Sequence, residues 1–303
     1  MKSLSCALCG SKEHTELLYP STIKKTDIPK SAFSGRKLPD RIHYRLLKCT
    51  NCGIIFSSPI LSCETIAKLY RQSTYNVNAH LPYLAQTYLA LFQIAQRLLP
   101  KNQRPHPHVL DIGCGNGYFL NFLVAKGITT YVAGIEPSTE EVARSGEKVK
   151  RKIVCDVLKR GQFLPQTFDI ICSFQTLDHI IDLQSSMKEM HALLKPKGII
   201  LIVVHDTQGL SVRLFGERSP IFDIQHVYLF NKTNLAKLFE KYGFRVLKVN
   251  NINNTYPLSF WLSMSGLPKW MKQVGNKILS LTHLGLFPFS LSAGNIALIA
   301  QKP

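Results

Sequence analysis

Apolar residues fall into three regimes along this chain. From residue 108 onward, short and nearly continuous apolar runs alternate with stretches whose apolar positions recur every three or four residues. The runs Val109–Ile112, Tyr131–Ile135, Ile153–Cys155, Phe168–Phe174, Gly198–His205, Phe244–Val249 and Ile296–Gln301 predict strands. Helices are predicted at about 117–126, 138–145, 183–194 and 231–242. The run Ile199 to Val204 shows no polar alternation. Such a strand is buried on both faces, which marks a mostly parallel sheet covered by helices on each side, an α/β doubly wound fold.

Residues 62–100 carry helical spacing instead. Ile66, Leu69 and Tyr70 share one face of a short helix, and Leu84, Tyr88, Leu91, Phe92, Ala95 and Leu99 one face of a longer helix. Pro100, Pro105 and Pro107 close that region. Residues 1–60 show no sustained period, and two cysteine pairs flank a basic insert from Tyr19 to Arg41. The expected organisation is a small module at 1–60, a helical linker at 61–105 and an α/β domain at 106–303, with a lid-like insertion at about 254–292.

Within that insertion, Leu267, Trp270, Met271, Val274, Ile278 and Leu281 share one predicted helix face, while Lys269, Lys272, Asn276 and Lys277 crowd another. No charged residue occurs from Ile278 to Ala300, a length that suggests a membrane span. Gly285, Pro288 and Gly294 argue against one, and Asn295 to Gln301 reads as the last strand. The segment is expected to pack as a lid helix between the sixth and seventh strands. The alternative, behind that reading, is peripheral contact of this basic, amphipathic C-terminal helix with an anionic membrane.

The chain has 303 residues, 45% of them hydrophobic, and a formal net charge of +18. That charge admits nucleic acid as a partner. However, the basic residues are spread, with no Arg-rich tract or aromatic-basic stripe, so nucleic acid is not the favoured partner. Met1 to Gly10 has no apolar core of a secretory leader, and the eight cysteines suit a reducing compartment. The expected location is the cytoplasm, with the basic tail at the inner face of the membrane.

Cys6-Ala7-Leu8-Cys9-Gly10 and Cys49-Thr50-Asn51-Cys52-Gly53 form two knuckles. A two-residue gap lets both sulfurs of a pair reach one ion, and four thiolates satisfy tetrahedral Zn²⁺ in a closed structural site. A redox role would want a thioredoxin-like strand and helix around one pair, and neither pair has them.

The main chemical signal is Val109-Leu110-Asp111-Ile112-Gly113-Cys114-Gly115-Asn116-Gly117-Tyr118-Phe119, followed later by Val132 to Ile135 and Glu136. A strand, a glycine turn, a helix and a second strand ending in a carboxylate bind a nucleoside cofactor. A dinucleotide fingerprint would need glycine where Tyr118 stands. The run resembles motif I of class I S-adenosylmethionine-dependent methyltransferases, acid-x-Gly-x-Gly-x-Gly, in Asp111, Gly113, Gly115 and Gly117. The turn Leu193 to Gly198 resembles the later "L-K-P-G-G" signature of that family, with Lys197 in place of a glycine. The knuckles and the stretch from Gly53 to Pro59, Tyr70 and Tyr75 resemble bacterial small-molecule and sugar methyltransferases with an N-terminal zinc ribbon.

The resemblance implies a seven-stranded sheet whose seventh strand runs antiparallel between the fifth and sixth. It implies that S-adenosylmethionine lies over the turn formed by Gly113 to Phe119. Asp111 would hold the amino group, Glu136 the ribose hydroxyls and Asp156 with Val157 the adenine. Phe174 and Gln175 would line the methyl-transfer side. A general base is needed when the acceptor is a hydroxyl or a carbon acid. His226, His179 and His205 are the candidates, with Asp223 and Tyr228 as groups that orient a substrate. The leading acceptor is a nucleotide-linked sugar or a precursor of cell-surface glycan or lipid. The alternatives are an RNA methyltransferase with a zinc ribbon and a non-catalytic interaction protein that keeps the cofactor fold.

Overall fold

The computed structural model describes residues 1–23, 28–35, 38–73 and 81–303. Tyr75 and parts of the basic insert lie outside the described residues. The chain opens with β1 (Thr15–Tyr19), β2 (Leu46–Cys49) and β3 (Ile55–Ser57), then the helices α1 (Cys63–Arg71) and α2 (Leu81–Leu98). Next come β4 (Val109–Ile112), α3 (Tyr118–Ala125), β5 (Val132–Ile135), α4 (Thr139–Ala143), α5 (Glu147–Lys150) and β6 (Ile153–Val154). They are followed by β7 (Phe168–Phe174), α6 (Leu183–Leu193), β8 (Leu194–His205), α7 (Leu210–Phe215) and β9 (Tyr228–Leu229). The chain closes with α8 (Lys232–Lys241), β10 (Arg245–Pro257), α9 (Leu258–Met264), α10 (Lys269–Leu281) and β11 (Pro288–Gln301).

The large sheet has the order β10-β11-β8-β7-β4-β5-β6. β4 pairs in parallel with β5 and β7, as do β5 with β6 and β7 with β8, whereas β11 is antiparallel to both β8 and β10. This is the implied arrangement, with the seventh strand between the fifth and sixth. β7 is buried along its whole length, and so is β8 from Gly198 to Val204, as their unbroken apolar runs require.

A second, antiparallel sheet has the order β1-β2-β3-β9. Its last strand comes from the α/β part of the chain, through the pairs Ile55↔Leu229 and Phe56↔Tyr228. Leu4, Phe33, Tyr44 and Phe56 belong to the same buried cluster as Leu110, Ile112, Ile200 and Ile202. The first 60 residues therefore share a core with the large sheet.

Two local differences from the sequence pattern have simple causes. β10 and β11 extend as a long two-stranded arm, from Tyr256↔Phe289 and Pro257↔Pro288 down to the sheet. Asn250, Asn251 and Asn254 have low strand propensity, yet cross-strand pairing holds them extended. The insertion holds two helices rather than one. Leu267 stays outside α10 because Pro268, which cannot donate from within a helix, caps its start.

Candidate active site

The turn after β4 is built by alternating left-handed glycines. Gly113, Gly115 and Gly117 have φ of 76°, 54° and 66°, a region that side chains disfavour. At Gly113 a Cβ would also overlap the side chain of Thr176, so the turn and the end of β7 meet with no room for a side chain. Gly117 caps α3. The Glu136 carboxylate accepts hydrogen bonds from the amides of Gly115 (2.9 Å) and Ser138 (2.8 Å). A carboxylate at a strand end is an acceptor of the kind a ribose diol binds. Glu136 thereby fastens the glycine turn to the end of β5.

A cavity of about 1130 Å³ opens beside this turn. Asp111, Gly113, Gly115, Tyr118, Phe119 and Glu136 line it, as do Asp156, Val157, Phe174 and Gln175. Asp111 is enclosed, and its Oδ1 has no hydrogen-bond partner. Burial, then the Glu136 charge, pushes its carboxyl up to about 8. Gln175 also has a buried, unpartnered Oε1, and it adopts φ of 54° on a non-glycine residue. Backbone strain of this kind persists where surroundings over-determine it, often at functional sites. Phe174 stacks on Tyr88 at 4.0 Å between ring centroids and meets Phe119 edge-on at 5.0 Å. Asp156 lies beyond β6, which ends at Val154, and its carboxylate binds Lys159 Nζ (2.6 Å) and the Val157 amide (2.8 Å).

The same cavity carries a second set of groups. His179, His205, His226 and Asp223 all line it. The three histidines converge on Asp178, which directly precedes His179 and which no motif in the sequence singles out. Asp178 is fully buried, and its Oδ2 accepts a 2.6 Å hydrogen bond from His205 Nδ1. Burial pushes the Asp178 carboxyl up, but the His205 hydrogen bond and charge, with His226 and His179 behind them, outweigh it. The result lies well below the usual carboxylate range. His226 Nδ1 lies 2.6 Å from the Ile221 carbonyl, which can only accept. The proton is therefore on Nδ1, and the Nε2 lone pair is free in the neutral ring. Burial, then the neighbouring His205, lowers the His226 pKa. His179 Nδ1 meets the hydroxyl of Tyr70 at 3.2 Å, a contact across 109 residues that no local pattern signals. Asn254, on the arm of β10, is another buried lining residue with an unpartnered Oδ1. Tyr228 does not join this set, because its hydroxyl points to the Ser5 carbonyl and its ring packs on Phe56.

Away from the cavity, Cys6, Cys9, Cys49 and Cys52 bring their four sulfurs within 4.8 Å of one another. The shortest separations run between the knuckles, 3.2 Å for Cys6–Cys52 and 3.5 Å for Cys9–Cys49. A tetrahedral Zn²⁺ with bonds of about 2.3 Å places its sulfurs roughly 3.8 Å apart. The donor set and its spacing fit such an ion.

A family model described as a methyltransferase domain matches residues 83–249, more than half of the chain. The chain belongs to the methyltransferase-domain family. Among curated relatives it is 29% identical over 184 residues to the human mitochondrial arginine-hydroxylase NDUFAF5, a match covering 56% of this chain and 51% of that protein. It is 26% identical over 188 residues to the sterol 4-C-methyltransferase strm-1 of Caenorhabditis elegans, covering 58% and 56% respectively. The chain thus spans about half the length of these relatives. A solved structure from Bacillus halodurans C-125 superposes with a TM-score of 0.50 at 17% identity, covering 72% of this chain and 99% of that one. The likeness shows the fold, which is that of the class I methyltransferases. The buried, unpartnered acceptor of Asp111 beside a glycine turn fits a ligand ammonium, and the Glu136 carboxylate fits the diol of a ribose. S-adenosylmethionine has both groups.

Proposed function

We propose that the chain transfers the methyl group of S-adenosylmethionine to an oxygen or carbon acid of a small molecule, with a nucleotide-linked sugar or a glycan or lipid precursor as the acceptor. One observation carries this reading: the histidine–aspartate cluster opens into the same cavity as Asp111 and Glu136. When bound, S-adenosylmethionine supplies an electrophilic methyl group on a sulfonium, so the protein's task is to position the acceptor and take its proton.

His205 is the best equipped base. Its Nδ1–H is held by the buried Asp178, which leaves Nε2 as the acceptor and gives the imidazolium a counter-charge. His226, a more prominent candidate in the sequence, donates to a carbonyl instead and is kept neutral by burial. Its role is to orient the acceptor, beside His179 and Asp223. A structural Zn²⁺ held by Cys6, Cys9, Cys49 and Cys52 completes the assignment, remote from the chemistry.

The test uses labelled S-adenosylmethionine with the purified chain and fractionated cell extract. We expect label in a low-molecular-weight or lipid fraction. His205→Gln should lower the rate about 100-fold while calorimetry shows unchanged affinity for S-adenosylmethionine. Label in RNA would move the acceptor to nucleic acid. A well-folded sample that binds neither S-adenosylmethionine nor its demethylated product would overturn the reading.

A further inference from the structure

The arm of β10 and β11 carries a surface that neither the cofactor turn nor the histidine cluster uses. α10 packs on α9 along one side only. A Cβ at Gly275 would stand 2.7 Å from Leu262 Cδ2, and Lys272 Nζ reaches the Ser263 carbonyl at 2.6 Å. The following segment is tied down as well, by Trp261 Nε1 to the Phe289 carbonyl (2.8 Å) and Ser259 Oγ to the Gly285 carbonyl (2.8 Å). The apolar face of α10 points away from these contacts. Trp270 is 64% exposed and Leu286 79%, and Val274, Ile278, Leu281 and Phe287 are also exposed. The face that the sequence would bury under a lid is turned outward.

A continuous apolar surface of this kind marks an interaction site. Its charge says what it meets. Lys269 opens α10, Lys277 borders the apolar face, and no Asp or Glu occurs from residue 241 to 303. A second copy of the chain would bring like charges together across the contact, whereas an anionic lipid headgroup layer is complementary to them. Insertion is shallow, because no helix among the described residues is long and apolar enough to cross a membrane.

We propose that the exposed face of α10 and the segment up to Phe289 docks on the surface of an anionic lipid bilayer. Docking sets the cavity close to that surface: α9, which supplies Phe260, Trp261 and Met264 to the cavity wall, is the helix on which α10 packs. The arrangement suits an acceptor whose polar head enters the cavity while its apolar part stays at the lipid.

The experiment is flotation of the full chain with vesicles of pure phosphatidylcholine and of phosphatidylcholine with phosphatidylglycerol. We expect binding to the anionic vesicles only, weakened by added salt. Lys277→Gln should weaken it about fivefold, and the double variant Ile278→Glu/Leu281→Glu at least tenfold. Both replaced apolar residues are exposed, so an unchanged thermal melt should accompany the loss. Failure of the full chain to float with anionic vesicles, or equal flotation of the double variant, overturns the proposal. So does a concentration-dependent dimer that the double variant abolishes without any vesicle binding, since the face then belongs to a second copy. Flotation reads nothing of methyl transfer, so this proposal and the proposed function stand or fall separately.

Discussion

Asp111 sits enclosed at the end of β4, with its carboxyl pushed up to about 8 by burial and by Glu136. For a carboxyl the sign is unusual. The folded state holds the proton more tightly than the unfolded chain, so the contribution to stability is complete below about 3.8 and is lost as pH rises toward about 8. Asp178 runs the other way, because its pKa is lowered: its contribution is present above the ordinary carboxylate range and lost as acid protonates it. Asp111→Asn should therefore raise the melting temperature of the ligand-free protein at pH 8, with little effect at pH 4. It should also weaken S-adenosylmethionine at least tenfold, because a bound ammonium draws the proton off the Asp111 carboxyl and pairs with the charge, which an amide cannot supply. Melting curves at both pH values, with calorimetry, check the two halves.

At this scale the cofactor side was legible because it is local: Asp111, the three glycines and Glu136 lie within one strand-turn-helix-strand unit. Lys197 was legible as a departure, and it adopts φ of 63° in the left-handed region that the glycine of the resembling signature would occupy. The acceptor side was only half legible. The three histidines stand out in the sequence, but their common partner Asp178 and the contact from Tyr70 arise from packing between distant segments.

Among the elements, β9 is as short as β6 and the most consequential. It is only two residues long, yet it pairs with β3 of the N-terminal sheet, immediately after His226. Ser57 Oγ donates to the His226 carbonyl (3.0 Å), and the Ser57 amide to that of Val227 (2.9 Å). The Val227 amide in turn donates to the Asp178 carbonyl at 2.8 Å. β2 and β3 are joined through the second cysteine knuckle, so a metal held there steadies the strand that follows His226. Removing Zn²⁺ with a chelator should lower the melting temperature and cut methyl transfer, while S-adenosylmethionine affinity falls by less than threefold because Asp111 and Glu136 lie elsewhere. Metal analysis before and after chelation, alongside calorimetry, tests this. No periodicity announces a two-residue strand, which is why this coupling stayed hidden until the sheets were seen together.

Over the whole molecule, the cavity is walled by segments from both ends of the chain. Ile66 and Tyr70 of α1 face it from one end, and Phe260 and Trp261 of α9 from the other. The parallel core between them was readable from apolar runs alone, whereas the closing of the site by the two ends depends on contacts far apart in sequence. Such a protein resists being pared down. A version reduced to residues 106–303 would leave Tyr228 without Phe56 and His179 without Tyr70, and strip β9 of its neighbour. It should come out of cells as aggregate, which a solubility assay of the shortened chain would reveal. A split or fused version of this chain should therefore be cut on its outer loops rather than at the start of the α/β segment, where the N-terminal sheet would lose β9.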